Sequence, residues 1–351
     1  MAGMDADHGH QRRATAHALA PAMGLQPARN HRPPPGFSTE DGAWTWLSTH
    51  LGALEAAVTA AQERRLLLLI PQLVHPAWPA LYRLRPLELW LDLHTRAVAA
   101  ASSCGQPEEE RALLTCGAIA LRGLGETGVA VRWVRIALES ATLDEDQHSR
   151  AEALYQLALC HAANGETTLA IELMTLVLDL RETAPLADTH ASALCRLALG
   201  EIHLASGQPE PARGYLTRAA RELSEAGDRF SLGRALALTG QIHAQQGQHD
   251  AAEGFLRPAL EALEATGAAA HLAGVQESLG EATLRQGRLR EARRLFEVAR
   301  VRYRHTDARA AGRMAPRIRA LRPPAMPIGP APDVPNLGGF ASSSGTAADR
   351  G

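Results

Sequence analysis

The chain contains no lysine: all 36 of its basic residues are arginine. A phosphate-binding P-loop needs its lysine, and Schiff-base or pyridoxal chemistry needs an amine. Both kinds of active site are therefore excluded. Aromatic residues make up only 4% of 351 residues, so the core must be closely packed Leu, Ala and Val. That suits stacked helices better than a β-sandwich, whose strands favour aromatic and β-branched residues. The net charge of −2 gives no strong non-specific attraction to nucleic acid or anionic lipid. Cys104, Cys116, Cys160 and Cys195 form no C-x-x-C pair and read as small hydrophobes in a reducing compartment. The apolar run Leu66-Leu67-Leu68-Leu69-Ile70 is far too short to span a bilayer. Pro21 and Pro27 break the first apolar cluster, so it does not form a signal-peptide core. These features predict a cytoplasmic protein with no membrane partner. H-E-x-x-H and G-x-S-x-G are missing too, and Cys160-His161 falls inside an apolar helical pattern, so no catalytic residue, metal or cofactor is expected.

What is present is a period. Gly125-Glu126, Gly165-Glu166, Gly207-Gln208, Gly247-Gln248 and Gly287-Arg288 follow one another at steps of 40, 42, 40 and 40 residues. Five residues after each glycine stands Ala130, Ala170, Ala212, Ala252 or Ala292, and twelve after it Ala137, Val177, Ala219, Ala259 or Ala299. Such self-similarity marks a repeat array. Each unit reads as helix, tight turn, helix. Gly207 ends a first helix in the left-handed conformation that glycine takes without strain. Ala212, Leu216 and Ala219 line the second helix at i, i+4 and i+7, and their small side chains let two helix axes approach closely. Two short helices bury too little surface alone, so each hairpin must stack on its neighbours. The predicted fold is all-α, an α-solenoid: a right-handed superhelix with a concave and a convex face.

The rest of the chain is less regular. Residues 1–36, rich in His, Pro, Ala and Gly, should be disordered; the spacing of His8, His10, His17 and His31 matches no structural metal motif. Residues 37–104 form a helical leading region with a degenerate capping repeat. Ser38 or Thr39 is expected to cap its first helix, along which Trp44, Leu47, Leu51, Leu54 and Val58 make an apolar stripe. A second helix is expected over about 65–75, ended by Pro76 and Pro79, and a third from about Pro86. Residues 105–305 hold the five repeats, 306–322 a basic capping helix, and 323–351 a disordered Pro/Gly/Ser tail.

The repeat positions match the tetratricopeptide pattern, with Ala118, Ala158, Gly200, Gly240 and Gly280 at the small site of the first helix. A period longer than 34 residues resembles the arrays of MalT-like and SARP-type bacterial transcription regulators. Asp41-Gly42-Ala43-Trp44-Thr45-Trp46-Leu47 with Leu54-Glu55-Ala56-Ala57-Val58 is similar to the segment that joins an NB-ARC ATPase to its repeats there. The resemblance implies a regulatory interaction scaffold, without the ATPase or a DNA-binding domain. It is expected either to stand alone or to be the truncated or remnant end of such a regulator.

Three features resemble chemistry. Gly123-Leu124-Gly125-Glu126-Thr127-Gly128 fits G-x-G-x-x-G, but a helix precedes it where a dinucleotide site needs a strand, and Gly125 is in register with the other turn glycines. His161, His203 and His243 recur at one repeat position. Helices about 8–10 Å apart cannot bring all three to one ion, so they read as packing residues, with a pH-sensitive ladder as the alternative. From Arg285 to Arg322 stand 13 arginines against Glu291, Glu297 and Asp307. This stretch reads first as a solvated cap, then as a surface for an acidic protein or self-association. Nucleic acid is not expected as a direct partner, because no recognition motif accompanies the charge. Repeat register puts Arg122, Tyr155, Glu201, Arg234, Gln241, Gln245, Glu277, Glu281 and Arg285 on the concave face. There they would hold a peptide or partner protein by shape and scattered polar contacts. A small-molecule or peptide sensor is the alternative.

Overall fold

Helical hairpins account for most of the computed structural model, which describes residues 40–264, 266–304 and 306–321 within one compact unit. The expected disordered segments at 1–36 and 323–351, the caps Ser38 and Thr39, and the side chains of Trp44 and Leu47 lie outside what is described. Among the described residues every regular element is helical. The leading region comprises α1 (Glu40–Glu63), α2 (Leu69–Val74), a 3-10 turn His75–Ala77, α3 (Trp78–Leu84) and α4 (Leu87–Ser103). The hairpins follow: α5 (Pro107–Gly123) with α6 (Thr127–Leu143), α7 (Gln147–Ala163) with α8 (Thr167–Glu182), and α9 (Thr189–Ala205) with α10 (Pro209–Glu225). Next come α11 (Arg229–Gln245) with α12 (His249–Glu264), α13 (Ala269–Arg285) with α14 (Leu289–Tyr303), and then α15 (Ala308–Ala320). The chain is an α-solenoid.

One expectation is corrected here. α2 does end at Val74, just before Pro76, as expected, but Pro79 ends no helix. Pro79 sits in the first turn of α3, where its missing N–H breaks no intrahelical bond. The path therefore continues through a short helix that the sequence pattern did not predict.

The hairpin turn explains the periodic glycine and the polar residue after it. Gly207 has φ 74°, and the Gln208 amide donates back to the His203 carbonyl at 2.9 Å, closing the helix end in a Schellman arrangement. The same bond runs from Glu166 to His161 and from Gln248 to His243, each at 2.9 Å. Three of the first helices are closed at their start by side chains. Asp146, Asp188 and Asp228 accept the amides of Ser149, Ala191 and Ser231 at 3.0, 2.9 and 3.0 Å. Each such cap stabilises its helix by about 1 kcal/mol. The single 42-residue step arises at 183–188, where six residues join α8 to α9, against three at 144–146 and 226–228.

Packing rests on a small residue facing a large one. Nine residues after each turn glycine stands Val134, Met174, Leu216, Leu256 or Phe296, all at 0% exposure. A fully buried side chain of this size stabilises by roughly 1.5–3 kcal/mol. Leu256 lies so close to Gly240 that a Cβ there would come within 2.7 Å of its Cγ and 3.2 Å of the Ala252 carbonyl oxygen. Gly254, on the exposed side of α12, has open space around it. Gly240→Ala should therefore destabilise the protein by about 1–3 kcal/mol, whereas Gly254→Ala should stabilise it by about 0.5–1 kcal/mol. Urea titration of both variants checks the pair, and equal shifts would contradict this account of the crossing.

Candidate functional site

The first helix of each hairpin faces inward, and this inner face is not empty. Helix α3 docks on it far from its own place in sequence. Phe230, the second residue of α11, is the hub. The Tyr82 ring meets it edge-on at 5.8 Å and the His271 ring at 5.0 Å, both good geometries for aromatic pairs. The Arg83 guanidinium lies over the same ring at 4.4 Å and donates to the Thr266 carbonyl at 3.3 Å. Stacking on a ring and bonding a carbonyl let a cation sit at 2% exposure.

Around this docked helix two cavities remain. The first, about 280 Å³, is lined by Trp78, Tyr82 and Arg83 of α3 and by side chains from α5, α7, α9 and α11, among them Arg122, Tyr155, Glu201 and Arg234. The second, about 310 Å³, is lined by Arg85, Glu201, Arg234, Gln241 and His271, with apolar walls from Ala237, Leu238 and Val275. Glu201 and Arg234 line both and are ion-paired to each other. Arg234 also donates to the Tyr82 hydroxyl at 3.2 Å. Burial opposes its charge, but Glu201, Tyr82 and Tyr155 outweigh burial and hold its pKa above the usual arginine range. Arg122 donates to Gln156 at 3.0 Å. Tyr155 is held well above the usual phenol range, chiefly by burial.

Sequence register thus brings Arg122, Tyr155, Glu201, Arg234 and Gln241 together. It does not bring the other four to this site. Glu277 accepts from the Tyr303 hydroxyl at 2.9 Å and from Arg317 at 3.1 Å, and Glu281 pairs with Arg317 at 2.6 Å. Both carboxylates are engaged by α15, so part of the charge of the basic end is compensated within the chain. Gln245 and Arg285 are exposed and line neither cavity. The residues that periodicity missed, Trp78, Tyr82, Arg83 and Arg85, come from outside the repeats. Their one signal is an aromatic and arginine cluster between the second and third expected helices of the leading region.

The recurring histidines have a packing role. His203 stacks on Tyr215 at 5.5 Å and His243 on Phe255 at 5.1 Å, nearly parallel. Their Nδ1 atoms are within 2.8 and 2.6 Å of the Gln208 and Gln248 side chains, and His161 pairs the same way with Glu166. No cluster of potential metal ligands occurs among the described residues. Burial pushes the thiols of Cys116 and Cys195 up to about 12, which leaves them protonated at neutral pH. Gly125 lies in the turn between α5 and α6, with φ 84°. No described helix is long and apolar enough to cross a membrane.

The tetratricopeptide repeat family model matches residues 149–221. No curated protein matches the chain in sequence. In fold the chain is similar to the apo form of RapI, at 13% identity and a TM-score of 0.55 over 74% of this chain and 92% of that one. It is similar to a Rap protein complexed with competence and sporulation factor, at 15% identity and a TM-score of 0.53 over 82% and 87% of the two chains. A third likeness is to a signal transduction ATPase with a tetratricopeptide repeat sensor from Pyrococcus horikoshii, at 14% identity and a TM-score of 0.50. There 82% of this chain covers 50% of the other. At these identities the likeness concerns the fold, a solenoid of tetratricopeptide-like hairpins.

Two outcomes test the site as built. Phe230→Ala removes the ring that Tyr82, Arg83 and His271 share; it should cost roughly 3–5 kcal/mol and open the 64–86 segment to limited proteolysis. Unchanged cleavage there would show that α3 docks by other contacts. Asp228 lines the first cavity and caps α11. Burial pushes its carboxyl up, but hydrogen bonds from His190 and Ser231 outweigh burial and hold it below the usual carboxylate range. A depressed folded pKa contributes stability that is present above the unfolded value of about 3.9 and is lost as pH falls through the folded value. The Tm difference between wild type and Asp228→Asn should therefore shrink as pH falls below about pH 4. A difference independent of pH would rule out the charged cap.

Proposed function

We propose that this chain is a protein-interaction scaffold with a regulatory role, which holds a short peptide or partner segment in the hollow lined by its first helices. The observation that supports it is the pair of cavities joined at Glu201 and Arg234. Their polar groups are scattered, and Arg122, Glu201 and Arg234 are hydrogen-bonded within the chain, as suits recognition by shape and complementary contacts. The similar Rap structure was solved in complex with competence and sporulation factor, so a related fold has held a bound factor. The setting we propose is bacterial transcription or signalling in the cytoplasm. Selection from a random peptide library on the full chain tests the reading. Selected peptides should bind at least tenfold more weakly to Arg122→Ala and to Glu201→Gln, and equally well to Arg285→Glu and Gln245→Ala. Sensitivity at the exposed pair alone would place recognition elsewhere.

A second reading is that the array is the sensor region of a MalT-like or SARP-type regulator. Its likeness to half of the Pyrococcus horikoshii signal transduction ATPase favours this. Co-purification of a P-loop ATPase from the native cell would support it, and the scaffold reading predicts a partner without one. Self-association would use the basic end, where α14 exposes Leu289, Val298 and Val301 among its arginines.

A further inference from the structure

Arg85 carries a charge that the hollow does not balance. It ends α3 with φ 56° and ψ 43°, in the left-handed region. Elsewhere the chain supplies glycine for that region at eight described positions, and only Arg65, Arg85 and Glu145 enter it with a side chain. A residue with a Cβ pays about 1–2 kcal/mol there, so arginine at this corner costs stability. The conformation sets the guanidinium into the wall of the second cavity, beside Arg234, Gln241 and His271. Gly123 makes room for it: a Cβ on that residue would lie 3.2 Å from Arg85 Nη2.

The surroundings disfavour the charge. Among the described residues the Arg85 guanidinium has neither ion pair nor hydrogen bond. Burial lowers its pKa, and Arg122 and Arg234 lower it further against an opposing contribution from Tyr82. His271 is held down to about 3, by burial first and then by Arg234, Arg85 and Arg83, so its ring is neutral at pH 7. Its Nδ1 is buried with no hydrogen-bond partner. Glu201 is the one carboxylate lining this cavity, and it already pairs with Arg234. The cavity therefore holds one guanidinium in excess, flanked by an amide and a neutral imidazole that can each hydrogen-bond an anion.

We propose that this cavity is a carboxylate subsite, in which Arg85, seconded by Gln241 and His271, binds a free carboxylate of the segment held in the hollow. The ligand's peptide nature rests on the preceding reading; the subsite itself rests on the charge and geometry of Arg85. One unbalanced cation matches a monoanion, and the planar guanidinium matches a carboxylate in two parallel bonds. A phosphate dianion would add charge beside Glu201 in the same cavity. The carboxylate could be an acidic side chain or a chain terminus.

Titration calorimetry on the full chain separates these sources with five probes. They are N-acetyl-Ala-Ala-Asp-amide, N-acetyl-trialanine with a free C-terminus, its neutral amide, succinate and inorganic phosphate. The carboxylate probes should bind at least tenfold more tightly than the neutral amide. Arg85→Gly should abolish that difference while leaving Tm unchanged or raised, because glycine relieves the backbone. Arg85→Asn, which tolerates the same conformation, is the second variant should glycine loosen α3. Stronger binding of the aspartyl probe identifies a side-chain ligand, and stronger binding of the free-terminus probe a chain end. Succinate bound through Arg85 with no tripeptide bound would keep the carboxylate subsite and count against the peptide reading. The inference is overturned if neutral and charged probes bind alike, if phosphate binds more tightly than the carboxylates, if both Arg85 variants retain the preference, or if no probe binds.

Discussion

Everything in this molecule depends on how closely two helices of a hairpin approach. The approach is set where a residue with little or no side chain faces a large buried one, Gly240 under Leu256 and Gly280 under Phe296, whose Cε1 would lie 2.6 Å from a Cβ at Gly280. Interiors are packed like organic crystals, so such contacts leave little freedom in the crossing. Repeating the contact at near-constant spacing repeats the hairpin, and stacking hairpins puts successive first helices on one inner face. The hollow follows from that repetition; no individual residue builds it.

What fills the hollow follows a different physics. An inner face of Leu, Val and Ala would be an exposed apolar patch of the kind that marks an interaction site. Here it is partly covered by α3, which brings Tyr82 and Arg83 onto Phe230. Placing guanidinium groups in such a space is expensive unless each finds a partner. Arg83 finds a ring and a carbonyl, and Arg234 finds Glu201 and Tyr82. The hollow is thus an arginine-rich interior in which nearly every charge is compensated locally. Arg85 stands out against that background, not merely as one more basic residue.

The solenoid was legible in the sequence because it rests on local chemistry repeated. Gly207 and its counterparts announced their left-handed turns, and Ala212 and Ala219 their close-packed faces, by type and interval alone. Register also brought Arg122, Tyr155, Glu201, Arg234 and Gln241 to one place. It failed at Glu277 and Glu281, because register gives the face of a helix but not what a later element lays over it; α15 reaches both through Arg317. It failed more fully at α3. The contact of Tyr82 with Phe230 spans about half the array, and no periodicity encodes a partner that occurs once. The aspartate caps were visible as residues, yet within acidic connections nothing set Asp146 apart from Asp144 until the backbone showed which carboxylate faces the amide of Ser149.

The docked helix also bounds what a ligand can be. Helices of six and seven residues such as α2 and α3 are far below the length at which a helix is stable alone in water. Their order is therefore maintained by what they touch, and Phe230 is the centre of what α3 touches. A segment small enough for the space left by α3 meets a preformed site and gains the full benefit of its contacts. A larger one must take over Phe230 and release α3, losing the aromatic and cation contacts that hold it. Binding energy would then be the difference between two occupants of the same ring. On the proposed reading, recognition in this hollow would be a competition between a ligand and the chain's own leading segment, and the preformed space would favour a short ligand over a long one.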